Sequence, residues 1–147
     1  MSAGVRRFIL RFGGGMLVVL GVLHLAVTPF ITRLITDNVT EAVGVWLTPP
    51  MLLNHVVVGI LLLPLGILTF YAASYAVEGE RWAIFVTQVS AVTVAALPLV
   101  LFLVMGTRYF GAVPFIVATI IVCVAAVTLL VAAFWPNSAR RLTSRSS

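Results

Sequence analysis

The chain has 147 residues, of which 62% are hydrophobic and only 9% are charged. A soluble domain carries about 25% charged residues, so this composition argues against a soluble globular protein and indicates an integral membrane protein. The net charge is +5, but the arginines lie apart along the chain, which argues against a nucleic-acid-binding patch. All nine basic residues are arginines, which is typical of a GC-rich coding sequence and favours a bacterial inner membrane as the location.

Long apolar runs predict the fold class: an all-α integral membrane protein, a four-span antiparallel transmembrane helix bundle. About 20 apolar residues cover the bilayer core at about 1.5 Å per residue. In chain order we expect a basic cytoplasmic flank, a four-span domain and a basic, disordered tail. Their bounds are residues 1–11, residues 12–135 and residues 136–147, with spans at about 12–31, 51–75, 82–105 and 110–135.

The first span and the connection after it are shaped by proline. Because the residue before a proline is biased away from helix, Pro29 predicts a kink or an end of the first helix. Residues 32–50 then form the longest connection, which mixes polar and apolar residues. We expect a short amphipathic helix there, lying in the membrane interface with Trp46 at headgroup depth.

Small residues mark the helix faces expected to pack closely. Gly59 and Gly66 are seven residues apart and share a face with His55 in span 2. Span 4 carries alanine at every seventh position, a seam typical of a tight helix interface. The members of this seam are Ala118, Ala125 and Ala132.

Arginine bias predicts the topology. If both termini are cytoplasmic, seven arginines lie inside and two, Arg33 and Arg108, lie outside. This distribution obeys the positive-inside rule. The seven inner arginines are Arg6, Arg7, Arg11, Arg81, Arg140, Arg141 and Arg145.

The two histidines of the chain are the best candidates for a site, because ionisable groups inside a membrane are costly and call for a partner or a purpose. This topology places His24 and His55 in the outer half of adjacent spans at similar depths. We therefore expect them to line one pocket. Thr28 and Asn54 are expected to join them, and Asp37 and Glu41 to cap the pocket from outside.

The chemistry of this pocket stays open at this point. Two imidazoles can bind a ligand, a metal ion or a b-type haem within a helix bundle. They can equally form an interhelical hydrogen bond, which stabilises membrane helix pairs by about 0.6 kcal/mol. The sequence does not indicate which metal, if any, would bind.

The chain lacks the residues that several kinds of chemistry require. Cys123 is the only cysteine, which excludes an intramolecular disulfide or a CxxC pair. No carboxylate lies within a predicted span, which disfavours proton-coupled transport. Since no hydrolase triad or zinc-protease motif is present either, we expect a protein that is not an enzyme.

Taken together, these patterns favour a small polytopic inner-membrane accessory or interaction protein with a histidine-containing polar pocket in its outer half. Its expected partners are the lipid bilayer and either another membrane protein or further copies of itself. One alternative is a b-type haem or quinone-site redox protein that uses His24 and His55. Another is a small transporter or channel subunit.

Overall fold

The computed structural model of the chain describes residues 1–106 and 113–136. Several predictions fall outside this part: the start of span 4 at residues 110–112, the tail after Pro136, and the packing of the Ala118 side chain. The described residues form four α-helices, which confirms the all-α prediction. These are α1 (Ala3–Asn38), α2 (Glu41–Glu78), α3 (Arg81–Met105) and α4 (Val113–Phe134).

Helices α1, α2 and α3 are each long and apolar enough to cross a membrane. At about 1.5 Å per residue, the 36 residues of α1 extend about 54 Å, more than the thickness of a bilayer core. Helix α4 is also strongly apolar, and its segment Thr119–Phe134 is shorter than the other three. A membrane protein is therefore supported by three helices, and the four-span bundle stays a prediction.

The connection between the first two helices is much shorter than the predicted one at residues 32–50. Helix α1 continues through Pro29 to Asn38, and α2 continues through Pro49 and Pro50. Only two residues separate the helices, so no separate interfacial helix forms at residues 32–50. A proline removes one backbone hydrogen bond, whereas ending a helix among apolar groups leaves several unsatisfied at several kcal/mol each, which favours continuation.

The end of α2 shows why the next turn is so short. Gly79 has a φ of 97°, a conformation that glycine adopts without steric cost. The Glu80 amide donates a hydrogen bond of 3.0 Å to the carbonyl of Tyr75. This is the pattern of a Schellman cap, and it ends α2 so that α3 begins at Arg81.

The chain divides into two compact units, which we call the arginine unit (Met1–Gly13 with Leu68–Ser147) and the histidine unit (Gly14–Ile67). In the arginine unit, α3 packs against α4 and the core consists largely of alanine. Ala125 and Ala132 of the predicted seam are fully buried there. The histidine unit consists of the adjoining parts of α1 and α2, with Leu17, Ile35 and Leu62 buried.

Candidate functional site

The rings of His24 and His55 stack on each other in the histidine unit. Their centroids are 4.8 Å apart and their planes are inclined by 28°. His24 lies fourteen residues before the end of α1, and His55 lies fourteen residues after the start of α2. Because these helices are antiparallel and joined by a two-residue turn, equal separations from the turn bring the rings to the same level.

Glycines allow the two helices to approach closely enough for the rings to meet. A Cβ on Gly21 would lie 2.9 Å from the carbonyl oxygen of Gly59, and one on Gly59 would lie 3.1 Å from the His24 Cβ. Farther along, a Cβ on Gly66 would lie 2.7 Å from the carbonyl oxygen of Gly14. Such backbone contacts are typical of small-residue helix interfaces.

The sequence interpretation identified Gly59 and Gly66 but missed the role of their partners on α1. Gly14 and Gly21 have the same seven-residue spacing, and this matching spacing was the signal available. Gly21 lies against Gly59, and Gly14 lies against Gly66, so the two helices run antiparallel. These two contacts fix the register of the helices, and the histidine pair lies in the same register.

A main-chain carbonyl of its own helix is the hydrogen-bond partner of the His24 ring. The Nδ1 atom of His24 lies 3.0 Å from the carbonyl oxygen of Leu20, to which it donates when it carries the proton. The Thr28 hydroxyl donates a 3.0 Å bond to the His24 carbonyl, so it supports the backbone and not the ring. In the described part of the chain, the buried Nε2 atom of His55 has no hydrogen-bond partner.

Three other residues predicted for the pocket and its cap are exposed. Asn54 is exposed. Asp37 and Glu41 are exposed on opposite sides of the turn between α1 and α2. Asp37 is 13 residues from His24 along one continuous helix, a distance of about 20 Å, so this geometry does not fit the predicted cap over the rings. The cap was expected because the sequence interpretation ended α1 near Pro29.

An open cavity of about 520 Å³ lies between the helices beside the histidines. Thr28 contributes its side chain to this cavity, and neither ring lines it. Its wall is mainly apolar, with a guanidinium at one side. The lining residues are Leu25, Thr28, Pro29, Thr32, Arg33 and Val56.

The ring geometry bears directly on haem and metal binding. An iron held by two imidazoles lies between their nitrogen atoms, with the porphyrin plane between the rings. In such a site each ring directs a nitrogen edge at the iron, whereas these two rings lie face to face, with centroids 4.8 Å apart and planes inclined by 28°. This arrangement therefore fits a direct ring contact. Within residues 1–106 and 113–136, no three metal-ligating side chains cluster.

The arginine unit contains a polar cluster that the sequence interpretation treated only as a basic flank. Arg6 is 4% exposed. Its Nε donates to the carbonyl of Ala132 at 2.8 Å, its Nη2 to Ala133 at 3.3 Å and its Nη1 to Ala76 at 3.5 Å. These carbonyls belong to the last turns of α4 and α2, where intrahelical donors are lacking and a positive charge is favourable.

The neighbouring arginines extend this cluster along α2. Arg7 forms an ion pair of 3.6 Å with Glu78. Arg11 donates a 2.9 Å hydrogen bond to the Ser74 hydroxyl and lies over the Phe70 ring at 5.5 Å. The start of α1 is therefore attached to the ends of two other helices by side chains that hydropathy alone does not reveal.

Comparisons with protein-family models, curated proteins and solved structures find no match.

Proposed function

We propose that this protein is a four-span integral protein of the bacterial inner membrane, with both termini in the cytoplasm, that acts as an accessory or interaction subunit. The hydrogen bonds of Arg6 are the observation that best supports this topology. They bring the start of α1 to the last turn of α4, as expected for a chain that crosses the membrane an even number of times. The positive-inside rule then favours the cytoplasm for this arginine-rich end.

The histidine pair supports a structural role in place of a catalytic one. Its rings contact each other at the level where glycines bring the helices together, and His24 is held by a main-chain carbonyl of its own helix. A polar contact of this kind specifies how two membrane helices pair. It leaves the outward faces of α1 and α2 available to a membrane partner.

Residues on those outward faces are apolar and exposed, for example Leu53 at 65% and Ile60 at 53%. Such a surface contacts either lipid or another transmembrane helix, and an accessory subunit uses it for the second purpose. The proposed partner is therefore an apolar transmembrane helix of another protein or of a second copy of this chain.

Site-specific photocrosslinking in living cells tests this proposal. A photoreactive residue at Leu53 or Ile60 is expected to give one discrete protein adduct of higher mass. The matched control is Val124 of α4, which is 56% exposed and equally apolar. Lipid adducts alone at all three positions would contradict the interaction role.

One observation favours a second function, a quinone-site redox protein. The buried Nε2 of His55 is available to hydrogen-bond a quinone carbonyl, although a bound quinone would have to displace the contacting ring. Extraction of quinone from the purified wild-type protein but not from His55→Leu would support this alternative. A visible spectrum with a Soret band that both histidine substitutions remove would instead support the b-type haem alternative.

A transporter or channel role has less support. All four carboxylates of the chain lie at the ends of helices or in turns and none lies in a helix middle. The carboxylate that commonly couples protons to transport is therefore missing from the membrane interior.

A further inference from the structure

A second cavity, of about 410 Å³, lies in the arginine unit and has a polar wall. It is formed where the start of α1 meets the last turns of α2. A guanidinium, a serine hydroxyl and two tyrosines contribute to it. The lining residues are Arg11, Phe70, Tyr71, Ser74, Tyr75 and Glu78.

Arg11 contributes a positive charge to this cavity that is not paired with a carboxylate of the described residues. Glu78 is the acid of the lining, and its carboxylate is paired with Arg7 at 3.6 Å. In the described residues, no carboxylate pairs with Arg11. One of the N–H groups of Arg11 donates to Ser74 and the ring of Phe70 supports its plane, while a guanidinium has five N–H donors in all. The remaining donors can bind an anion.

Aromatic side chains beside this cavity indicate its depth. The Trp82 ring lies 5.3 Å from the Tyr75 ring and 6.3 Å from the Tyr71 ring. The hydroxyl groups of the two tyrosines are 3.4 Å apart. Clusters of tryptophan and tyrosine of this kind are typical of the headgroup level of a membrane.

We propose that this cavity binds the phosphate of an anionic phospholipid headgroup in the cytoplasmic leaflet, an inference that rests on the topology proposed above. Arg11 binds two phosphate oxygens through its parallel N–H groups, the arrangement that suits guanidinium and phosphate. Ser74 and Tyr75 supply hydroxyl donors at the same wall. The neighbouring apolar helix faces accommodate the acyl chains.

The full-length protein in neutral detergent provides the test, with native mass spectrometry to count bound molecules during titration. The probes are dioctanoyl phosphatidylglycerol, dioctanoyl phosphatidylcholine and inorganic phosphate. The wild type is expected to bind phosphatidylglycerol about tenfold more tightly than phosphatidylcholine, which corresponds to about 1.4 kcal/mol. Arg11→Gln is expected to remove this preference.

Arg33→Gln is the matched control, because it removes the same charge from an exposed arginine of the same helix. It is expected to keep the tenfold preference. Ser74→Ala, which releases Arg11 from its hydrogen bond, is expected to weaken phosphatidylglycerol binding about threefold and serves if Arg11→Gln fails to fold.

Equal binding of the two lipids, or full preference in Arg11→Gln or in Ser74→Ala, would overturn the proposal. Equal loss in Arg33→Gln would overturn it too, because net charge would then explain the binding. Displacement of phosphatidylglycerol by inorganic phosphate at similar concentration would show that free phosphate is the ligand. Binding in detergent does not depend on sidedness, so failure of this site is distinguishable from failure of the topology.

Discussion

The arginine unit and the histidine unit satisfy their polar groups in different ways. In the arginine unit, the charged side chain of Arg6 at the start of α1 binds carbonyls at the ends of α2 and α4. In the histidine unit, the helices meet in their middle, where the carbonyls are already bonded and glycines bring the backbones together. The difference teaches that a charge can be buried where helix ends need donors, whereas contact between two rings suits the middle of a helix.

Substitution of Arg6 is expected to change the free energy of unfolding more than any other variant proposed here. Arg6→Met leaves three carbonyls without their donor, and hydrogen bonds to a charged group contribute about 1.5–3 kcal/mol each. We expect a loss of about 3 kcal/mol or more in the free energy of unfolding, measured in detergent by denaturant titration followed by circular dichroism. Arg33→Met, at an exposed position of the same helix, is expected to stay within about 0.5 kcal/mol. Similar losses in the two variants would contradict a special role for Arg6.

The sequence predicted the helical class well because hydropathy is averaged over long segments. It did not predict the Arg6 contacts, which join residues 126 and 127 positions apart and depend on how helix ends align. The predicted end of α1 near Pro29 is too early, because apolar surroundings favour continuation of a helix through a proline.

The meeting of the histidines was expected from their similar depths. The acidic cap expected over them was not found beside them, because its position depended on the misplaced end of α1. The sequence also gave no sign of which ring nitrogen would lack a partner, since that depends on side-chain orientation.

Alanine substitutions at two glycines, one in α1 and one in α2, are expected to change the stability of the protein in opposite directions. A Cβ on Gly66 would lie 2.7 Å from the backbone of α1, and overpacking costs about 1–3 kcal/mol. A Cβ on Gly15 would meet nothing within 4 Å, so Gly15→Ala is expected to stabilise the helix by about 0.5–1 kcal/mol. Thermal unfolding in detergent compares Gly66→Ala with Gly15→Ala. A stabilised Gly66→Ala would show that the glycine contact does not hold the histidine unit together.

The alanine core of the arginine unit is expected to respond to added volume. Ala125→Leu places three more carbons at a fully buried position and should cost about 1–3 kcal/mol. Val124→Leu, next to it but 56% exposed, is the control and should change little. Size-exclusion chromatography with thermal unfolding measures both. Unchanged stability and unchanged size for Ala125→Leu would show that this face of α4 tolerates bulk.

The histidine pair carries the smallest expected effect. If it is a polar contact, His24→Ala and His55→Ala should each lower the free energy of unfolding by about 0.6 kcal/mol. The double variant should lose no more than the larger single effect, because each ring is the partner of the other. Asn54→Ala, at an exposed neighbouring position, is the control. Strictly additive losses in a double-mutant cycle would mean that the two rings act independently.

Reporter fusions test most directly whether both termini lie in the cytoplasm and the turn between α1 and α2 lies outside. A green fluorescent protein at the C-terminus should be fluorescent, and alkaline phosphatase inserted after Thr40 should be active, because the first requires the cytoplasm and the second the oxidising exterior. Active phosphatase at the C-terminus, with none after Thr40, would contradict the proposed orientation.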